Sequence, residues 1–319
     1  MLRTLKSLGG QRAVHETAVG ICVHRAMAIA AVPRAGRGAA QVRVVELQTE
    51  TDEQVRLLTR AVADLGVKGC PTTLTLPLGS YQLMQIEKPP VEDGELVDAA
   101  RWRIKGQLDY PVEDAVIQVF EMPQSENQRT PLVNVVAAPA RTIRELTALV
   151  KRTGLRPTKV TIVELAVRDL VARVADRDEP IATVFLNARQ GVIQVTRGSE
   201  LFLTRRVEYG LGSVMPTDML ATGIHMTLPL ELRRTVDYFD SHFGLGSVRR
   251  VLAAPTDEPF MKFMRETTAF TGLPVEPLDL PFALQSAAGK AADYGLPEAY
   301  LAASGALSGR ASDAVQESA

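Results

Sequence analysis

Ala18-Val-Gly-Ile-Cys-Val-His-Arg-Ala-Met-Ala-Ile-Ala-Ala-Val32 is an apolar run, a polar break at His24-Arg25 and a second apolar run. Ala182-Thr-Val-Phe-Leu-Asn-Ala-Arg-Gln-Gly-Val-Ile-Gln-Val-Thr-Arg197 repeats that plan in the second half of the chain. Aliphatic and β-branched residues on either side of a short polar turn read as two strands of a hairpin. Each hairpin opens one half of the chain, and each is followed by a third strand, at 42–47 and at 200–207. Neither turn contains an Asp or a Glu. A strand meander that recurs in the two halves of a 319-residue chain predicts two lobes, because single cores stop growing with length and longer chains divide.

Hydrophobic residues make up 46% of the chain and charged residues 23%, an ordinary globular balance. The net charge of −1 argues against non-specific nucleic-acid binding, which needs an excess of Lys and Arg. Cys22 and Cys70 both lie in apolar, strand-like surroundings without Cys-x-x-Cys or Cys/His spacing. Reduced thiols in a cytoplasmic protein fit that pattern better than a disulfide or a zinc site. No apolar stretch reaches the length of a membrane span, and residues 1–10 lack the long apolar segment of a signal peptide. Leu2, Leu5 and Leu8 recur at helical spacing beside Arg3 and Lys6; a frayed terminus is the preferred reading over a short docking helix.

Between the hairpins the periodicity changes repeatedly. Val55, Leu58, Val62 and Leu65 mark a helix over 52–65, stopped by Gly66, and 72–77 is a β-branched strand ending at Pro77. A different module follows: a strand at 81–86, a helix over 92–108 with Leu96, Ala100, Ile104 and Leu108 on one face, strands at 115–121 and 132–138, and a helix at 141–153. That succession predicts a compact α+β insert. A strand at 159–163 and a helix at 164–175 return to the first lobe, and 176–180 is an acidic linker. After the second meander come an amphipathic helix over 228–243, with Leu232, Val236, Phe239 and Phe243 on one face, and a strand at 247–254. A helix at 258–270, an extended segment at 274–280 and a small-residue helix at 296–307 complete the order. The polar, Ala/Ser-rich remainder reads as disordered.

Two βββ-αβα units with a small insert in the first form the plan of the actin-like ATPase superfamily, an α/β fold with ribonuclease H-like halves. Ala100-Arg-Trp-Arg-Ile-Lys-Gly-Gln-Leu-Asp-Tyr-Pro-Val-Glu-Asp-Ala-Val-Ile117, continued by Gln118-Val-Phe-Glu-Met-Pro123, makes the likeness narrower. It resembles the helix, aromatic-Pro turn and returning strand in the inserted subdomain of the PilM family, the cytoplasmic actin-like proteins of type IV pilus assembly platforms. Within that family the resemblance is closest to the MshI branch, which serves MSHA-type (mannose-sensitive haemagglutinin) pili. Element order matches over roughly 15–307, while sequence likeness covers only this segment and the meander ending Arg205-Arg-Val-Glu-Tyr-Gly210. The resemblance implies a first actin-like lobe at 15–79 and 158–178, an inserted α+β subdomain at 80–157, a second lobe at 180–307 and a disordered tail at 308–319.

In that superfamily the hairpin turn is Asp-x-Gly, which cradles phosphate and holds a metal ion. The matching positions here are Cys22 and His24 in the first copy, and Phe185 and Asn187 in the second. Magnesium wants carboxylate and phosphate oxygens, and phosphate needs glycine turns that let backbone N–H groups approach. The adenosine turn, usually ending in paired glycines, corresponds to Leu252-Ala-Ala-Pro-Thr256, whose methyl groups and proline ring would crowd a base. With all three signatures lost together, the expectation is a pseudo-ATPase that is not an enzyme and has no cofactor, with ATP disfavoured. A degenerate cleft would be lined by Gly20, Cys22, His24, Arg25, Asn187, Ala188, Arg189 and Ala254. Arg25 and Arg189 occupy equivalent turns and could meet on a phosphate, although solvated turn arginines are the preferred reading. Asn187 suits a tight turn better than a ligand role. His15, His24, His225 and His242 are scattered without metal or triad spacing.

Recognition remains. The resemblance implies docking of the cytoplasmic peptide of a PilN-like, single-span inner-membrane pilus protein, held by strand pairing or apolar pockets. It places the groove between the first lobe and the insert, around 72–86 and 96–109, with Leu76, Tyr81 and Trp102 as candidate contacts. Trp102 lies off the Leu96/Ala100/Ile104 stripe, so it is either a core anchor of a second face, the preferred reading, or an exposed hot spot. The chain would then work at the inner face of the inner membrane beside other platform components, its membrane partner being a separate polypeptide. A divergent actin-like ATPase and a cytoskeletal polymer are the competing readings.

Overall fold

A computed structural model of the chain describes residues 17–23, 26–33, 40–46, 51–124, 130–214, 224–269, 271–279, 284–286 and 297–316. The expectations for residues 1–10, His15, His24 and Arg25 lie outside them.

The first hairpin forms as β1 (Thr17–Val23) and β2 (Ala26–Pro33), paired antiparallel with Cys22 opposite Ala28, and β3 (Ala40–Glu46) completes the meander. Helix α1 (Thr51–Asp64) leads to β4 (Pro71–Leu76), which lies parallel to β1. The insert follows as β5 (Gln82–Glu87), α2 (Leu96–Ile104), β6 (Ala115–Glu121), β7 (Leu132–Pro139) and α3 (Ala140–Arg152). Its strands form their own sheet in the order β5-β7-β6. On one face α2 packs Ala100 and Ile104 over Val133, Val135 and Ala137. Helix α2 stops at Ile104, short of the 92–108 expected, because Lys105 leaves the helical region with ψ 122° and Gly106 turns the chain at φ 87°.

Strand β8 (Arg156–Ile162) joins β4 in parallel, and α4 (Val163–Val174) runs from it to the second lobe. There β9 (Pro180–Leu186), β10 (Gly191–Arg197) and β11 (Glu200–Val207) repeat the meander. A helical turn α5 (Leu211–Val214), the long α6 (Ile224–His242), β12 (Val251–Ala254), α7 (Glu258–Thr268) and β13 (Val275–Pro277) complete that lobe, whose sheet runs β11-β10-β9-β12-β13. Residues 247–250, expected to extend β12, are irregular. The core joins the β9 and β10 side chains to Leu228, Leu232 and Phe239 of α6 and to Phe243 just after it, with the rings of Phe202 and Phe239 edge to face at 5.5 Å.

The end of the chain departs from the sequence reading. Strand β14 (Leu284–Ser286) pairs with β3, and α8 (Pro297–Gln316) packs against β1, β2, β4 and α4. The boundary drawn at 180–307 is therefore corrected: the last elements cross back and complete the first lobe, whose sheet runs β14-β3-β2-β1-β4-β8. The helix also continues to Gln316, through most of the 308–319 segment expected to be disordered. The physical reason is the small-residue face of α8. Ala299, Ala302, Ala303 and Ala306 are buried, and Gly305 stands 3.3 Å from the Cα of Gly20 when given a Cβ. Thr75 Oγ1 donates to the Leu301 carbonyl at 3.1 Å and Ser304 Oγ to the Ala166 carbonyl. No helix among the described residues is long and apolar enough to cross a membrane.

A Cβ on Gly20 would lie 1.9 Å from Ala302 O and 2.4 Å from Ala306 N. Gly20→Ala should therefore destabilise the fold by about 3 kcal/mol or more, since backbone cannot yield as a side chain can. Gly94→Ala, where a Cβ meets nothing within 4 Å, should stay within about 1 kcal/mol. Urea denaturation of both variants checks the contrast.

Candidate functional site

The three turn regions singled out from sequence converge where the lobes meet. Cys22 at the end of β1, Phe185 in β9 and Ala254 at the end of β12 belong to one apolar cluster with Tyr300 and Ala299 of α8, and all are buried. The parallel pairing of β12 with β9 sets Ala254 beside Phe185. Tyr300 reaches across this junction, its hydroxyl 2.7 Å from Thr256 Oγ1 in the second lobe. Burial, and then the nearby charge of Glu298, push the Cys22 thiol well above its ordinary range. A thiol buried in apolar packing and held toward its protonated form is a poor nucleophile. Gly20 is not open to a ligand, and this corrects its place among cleft residues: its missing side chain admits the α8 backbone.

The second turn is closed on itself. Asn187 Oδ1 accepts from the backbone N–H of Arg189 at 2.9 Å and of Gln190 at 2.8 Å. Amides that a phosphate cradle would aim outward are thus held by the turn's own side chain. The Asn187 and Ala188 carbonyls accept from Leu211 and Gly212 N–H at 2.8 and 3.0 Å. Gly210 is required there, since a Cβ would lie 2.2 Å from Asn187 O. Ala188 and Arg189 are exposed. Among the described residues no group of His, Cys, Asp and Glu side chains is gathered as a metal site.

Of the candidate partner contacts, Leu76 and Tyr81 are corrected. Leu76 lies in the first-lobe core, and Tyr81 is only 3% exposed. Trp102, read preferentially as core, is 71% exposed with Lys105 Nζ 5.1 Å above its ring. Its position off the Leu96/Ala100/Ile104 stripe holds the reason, because those three are the residues that the helix buries.

Tyr81 belongs to a joint that sequence reading missed. Its hydroxyl donates to Glu164 Oε2 and accepts from Val163 N–H at 3.1 Å. Arg206 of β11 donates to Glu164 Oε1 at 3.1 Å and to the Tyr81 carbonyl at 3.2 Å, and its guanidinium lies 4.9 Å over the Tyr81 ring. Glu164 at the start of α4 is 1% exposed. First lobe, insert and second lobe thus meet on one carboxylate. The sequence signal was slight: an Arg205-Arg206 pair ending a strand, and a Glu at a helix start. A second feature is a groove between insert and second lobe, walled by Gln85, Met122 and Leu132 on one side and by Leu203, Arg205, Tyr238 and Phe243 on the other.

Arg206→Ala should destabilise the protein by about 3 kcal/mol, the low end for breaking a buried pair because Arg206 is partly exposed. Burial, then Glu164, hold the Tyr81 phenol well above its ordinary value. A folded-state pKa raised above the unfolded one gives stability that is complete below about pH 10 and falls as pH rises past it. Denaturation midpoints from pH 8 to 11 should show that fall, and Tyr81→Phe should flatten it.

No family model matches the chain, and no curated protein matches it. Solved structures do. A chain of the PilM–PilN type IV pilus biogenesis complex is similar with a TM-score of 0.70 at 18% identity, over 92% of this chain and 98% of that one. A Bacteroides thetaiotaomicron protein with an actin-like ATPase fold and unknown function gives 0.53 at 9% identity, over 86% and 93%. The ethanolamine utilization protein EutJ from Carboxydothermus hydrogenoformans gives 0.50 at 9%, over 91% and 89%. Likeness at these identities reports the fold, and the chain accordingly has the actin-like ATPase fold, with a small α+β subdomain inserted in its first lobe.

Proposed function

We propose that the protein is a cytoplasmic scaffold of a type IV pilus assembly platform, a pseudo-ATPase of the PilM kind, working in an MSHA-type system of the MshI branch. It docks the cytoplasmic peptide of a PilN-like, single-span inner-membrane protein and stands with other platform components at the inner face of the membrane. The observation that carries this reading is the end-to-end likeness to a chain of the PilM–PilN complex, insert included. The loss of catalysis is supported by the state of the turns. Cys22, Phe185 and Ala254 are packed together as core, and the Arg189 and Gln190 amides are satisfied by Asn187. An apolar floor without carboxylates in its turns offers no oxygen ligands to magnesium. The competing reading, a divergent actin-like ATPase, has one specific support: Glu298 sits close enough to Cys22 to act on it electrostatically.

A nucleotide that binds only the folded protein must raise its melting temperature. At a concentration 100 times Kd the gain is about 2.7 kcal/mol, far above detection. Thermal melts with millimolar ATP or ADP, with and without magnesium, should show no shift. A magnesium-dependent rise would put the ATPase reading first. Co-purification with the PilN-like protein should be lost when that protein's cytoplasmic N-terminal peptide is deleted, and its persistence would remove the docking role.

A further inference from the structure

The groove between the inserted sheet and the second lobe encloses a cavity of about 430 Å³, within the range of pockets that hold small molecules. Its walls are graded. The inner part is apolar: Met122 of the insert is 7% exposed and Phe243 of the second lobe 4%, with Leu132 and Leu203 half-buried beside them. The mouth is polar, with Gln85, Arg205, Tyr238 and His242 all exposed. A pocket apolar within and polar at its mouth fits a ligand of the same polarity, a carbon body carrying a hydrated head.

The sign of that head follows from the charges around the mouth. The described residues that line the cavity include Arg205 and His242 and no Asp or Glu. Arg205 Nη1 lies 3.2 Å from Glu231 Oε2 on α6, and the same carboxylate is held by Arg234 at 2.9 Å. Two guanidinium groups on one carboxylate leave a positive charge over. The next acids along α6 are engaged as well, Asp237 by Arg233 and Asp240 by the Val248 N–H. An anionic head at the mouth therefore meets an excess of positive charge, and guanidinium is the side chain whose fork best matches a carboxylate.

Strand β11 sets the distance between head and body. Leu203 and Arg205 are two residues apart and share a face of the strand. Leu203 packs toward the second-lobe core, while Arg205 reaches α6. Two residues of strand span about 6.7 Å, so charge and apolar contact are only a few bonds apart on the ligand.

We propose that the groove binds a small anionic amphiphile, a short aliphatic chain with one negatively charged head. The chain lies between Met122, Leu132, Leu203 and Phe243, and the head pairs with Arg205. The site does not depend on the scaffold reading and goes beyond it. Its two walls belong to different bodies, so an occupant bridges the insert and the second lobe.

The probes are octanoate and the uncharged octanol, titrated calorimetrically into the full chain at low salt, where charge pairing at an exposed mouth is least screened. Octanoate should bind about tenfold or more tightly than octanol. Leu203→Trp and Gln85→Trp fill the cavity from its two walls and should abolish octanoate binding. Arg205→Gln should weaken octanoate by about tenfold and leave octanol unchanged. Melting curves verify that each variant folds. No octanoate binding by the wild type at millimolar concentration, or binding that all three variants retain, overturns the site. Equal affinity for octanoate and octanol overturns the anionic head. Vesicles of phosphatidylglycerol separate the two sources of such a ligand. Co-sedimentation that both tryptophan variants abolish upholds the site with a membrane lipid as its source; octanoate binding without co-sedimentation upholds it with a free carboxylate.

Discussion

Glu164 is a carboxylate with almost no access to water, and three parts of the chain are arranged around keeping it satisfied. Removing a carboxylate from water is tolerable only with a counter-charge and hydrogen bonds in place. Arg206 supplies the charge from the second lobe, and the Tyr81 hydroxyl supplies the hydrogen bond from the start of the insert. The same Tyr81 takes a bond from Val163 N–H at the head of α4, so the helix start and its own Glu are tied to one phenol. Shifting any of the three bodies would leave a buried charge or a buried hydroxyl without its partner. Specific geometry at the junction therefore comes from polar groups, within surroundings that are otherwise apolar.

The second constraint is α8. It covers β1, β2 and β4 of the first-lobe sheet, although it begins only at Pro297. Small side chains let the helix approach until backbone meets backbone at Gly20. That approach also brings Tyr300 and Ala299 into the cluster that holds Cys22, Phe185 and Ala254. The lobes are thus joined twice, by an apolar plug at the turns and by the Glu164 joint behind it. Helix α4 packs on both sheets between them.

What the sequence disclosed follows from how local each signal is. Hairpins, the α6 stripe and the order of the insert rest on periodicity within a few residues, and all were legible. The return of α8 was not. Its Ala, Ser and Gly residues carry a weak stripe, and only the position of Gly20, nearly 300 residues away, explains why small residues are needed. Gly20 itself was misread because a glycine near a turn suits phosphate approach and helix approach equally well. Leu76 and Tyr81 were misplaced for a related reason: their neighbours on the strand say nothing of which lobe covers them. Glu164 and Arg206 each look like ordinary surface charges until the fold brings them together. Trp102 shows the reverse error, an aromatic assigned inward by composition although its place off the stripe pointed outward.

On the scaffold reading these joints change what the fold can transmit. In an actin-like fold with a nucleotide, phosphates bridging the two hairpin turns can set the angle between lobes, because each turn contributes amides to one ligand. Here the second turn spends the Arg189 and Gln190 amides on Asn187, and the floor between the turns is packed with side chains. A ligand can shift a conformational equilibrium only through differential contacts with its states. Among the described residues, the contacts left to differ lie where the insert faces the second lobe across the groove between Met122, Leu132, Leu203 and Phe243. The Glu164 joint lies one residue beyond that groove wall on the same strand, at Arg206, so groove and joint share β11.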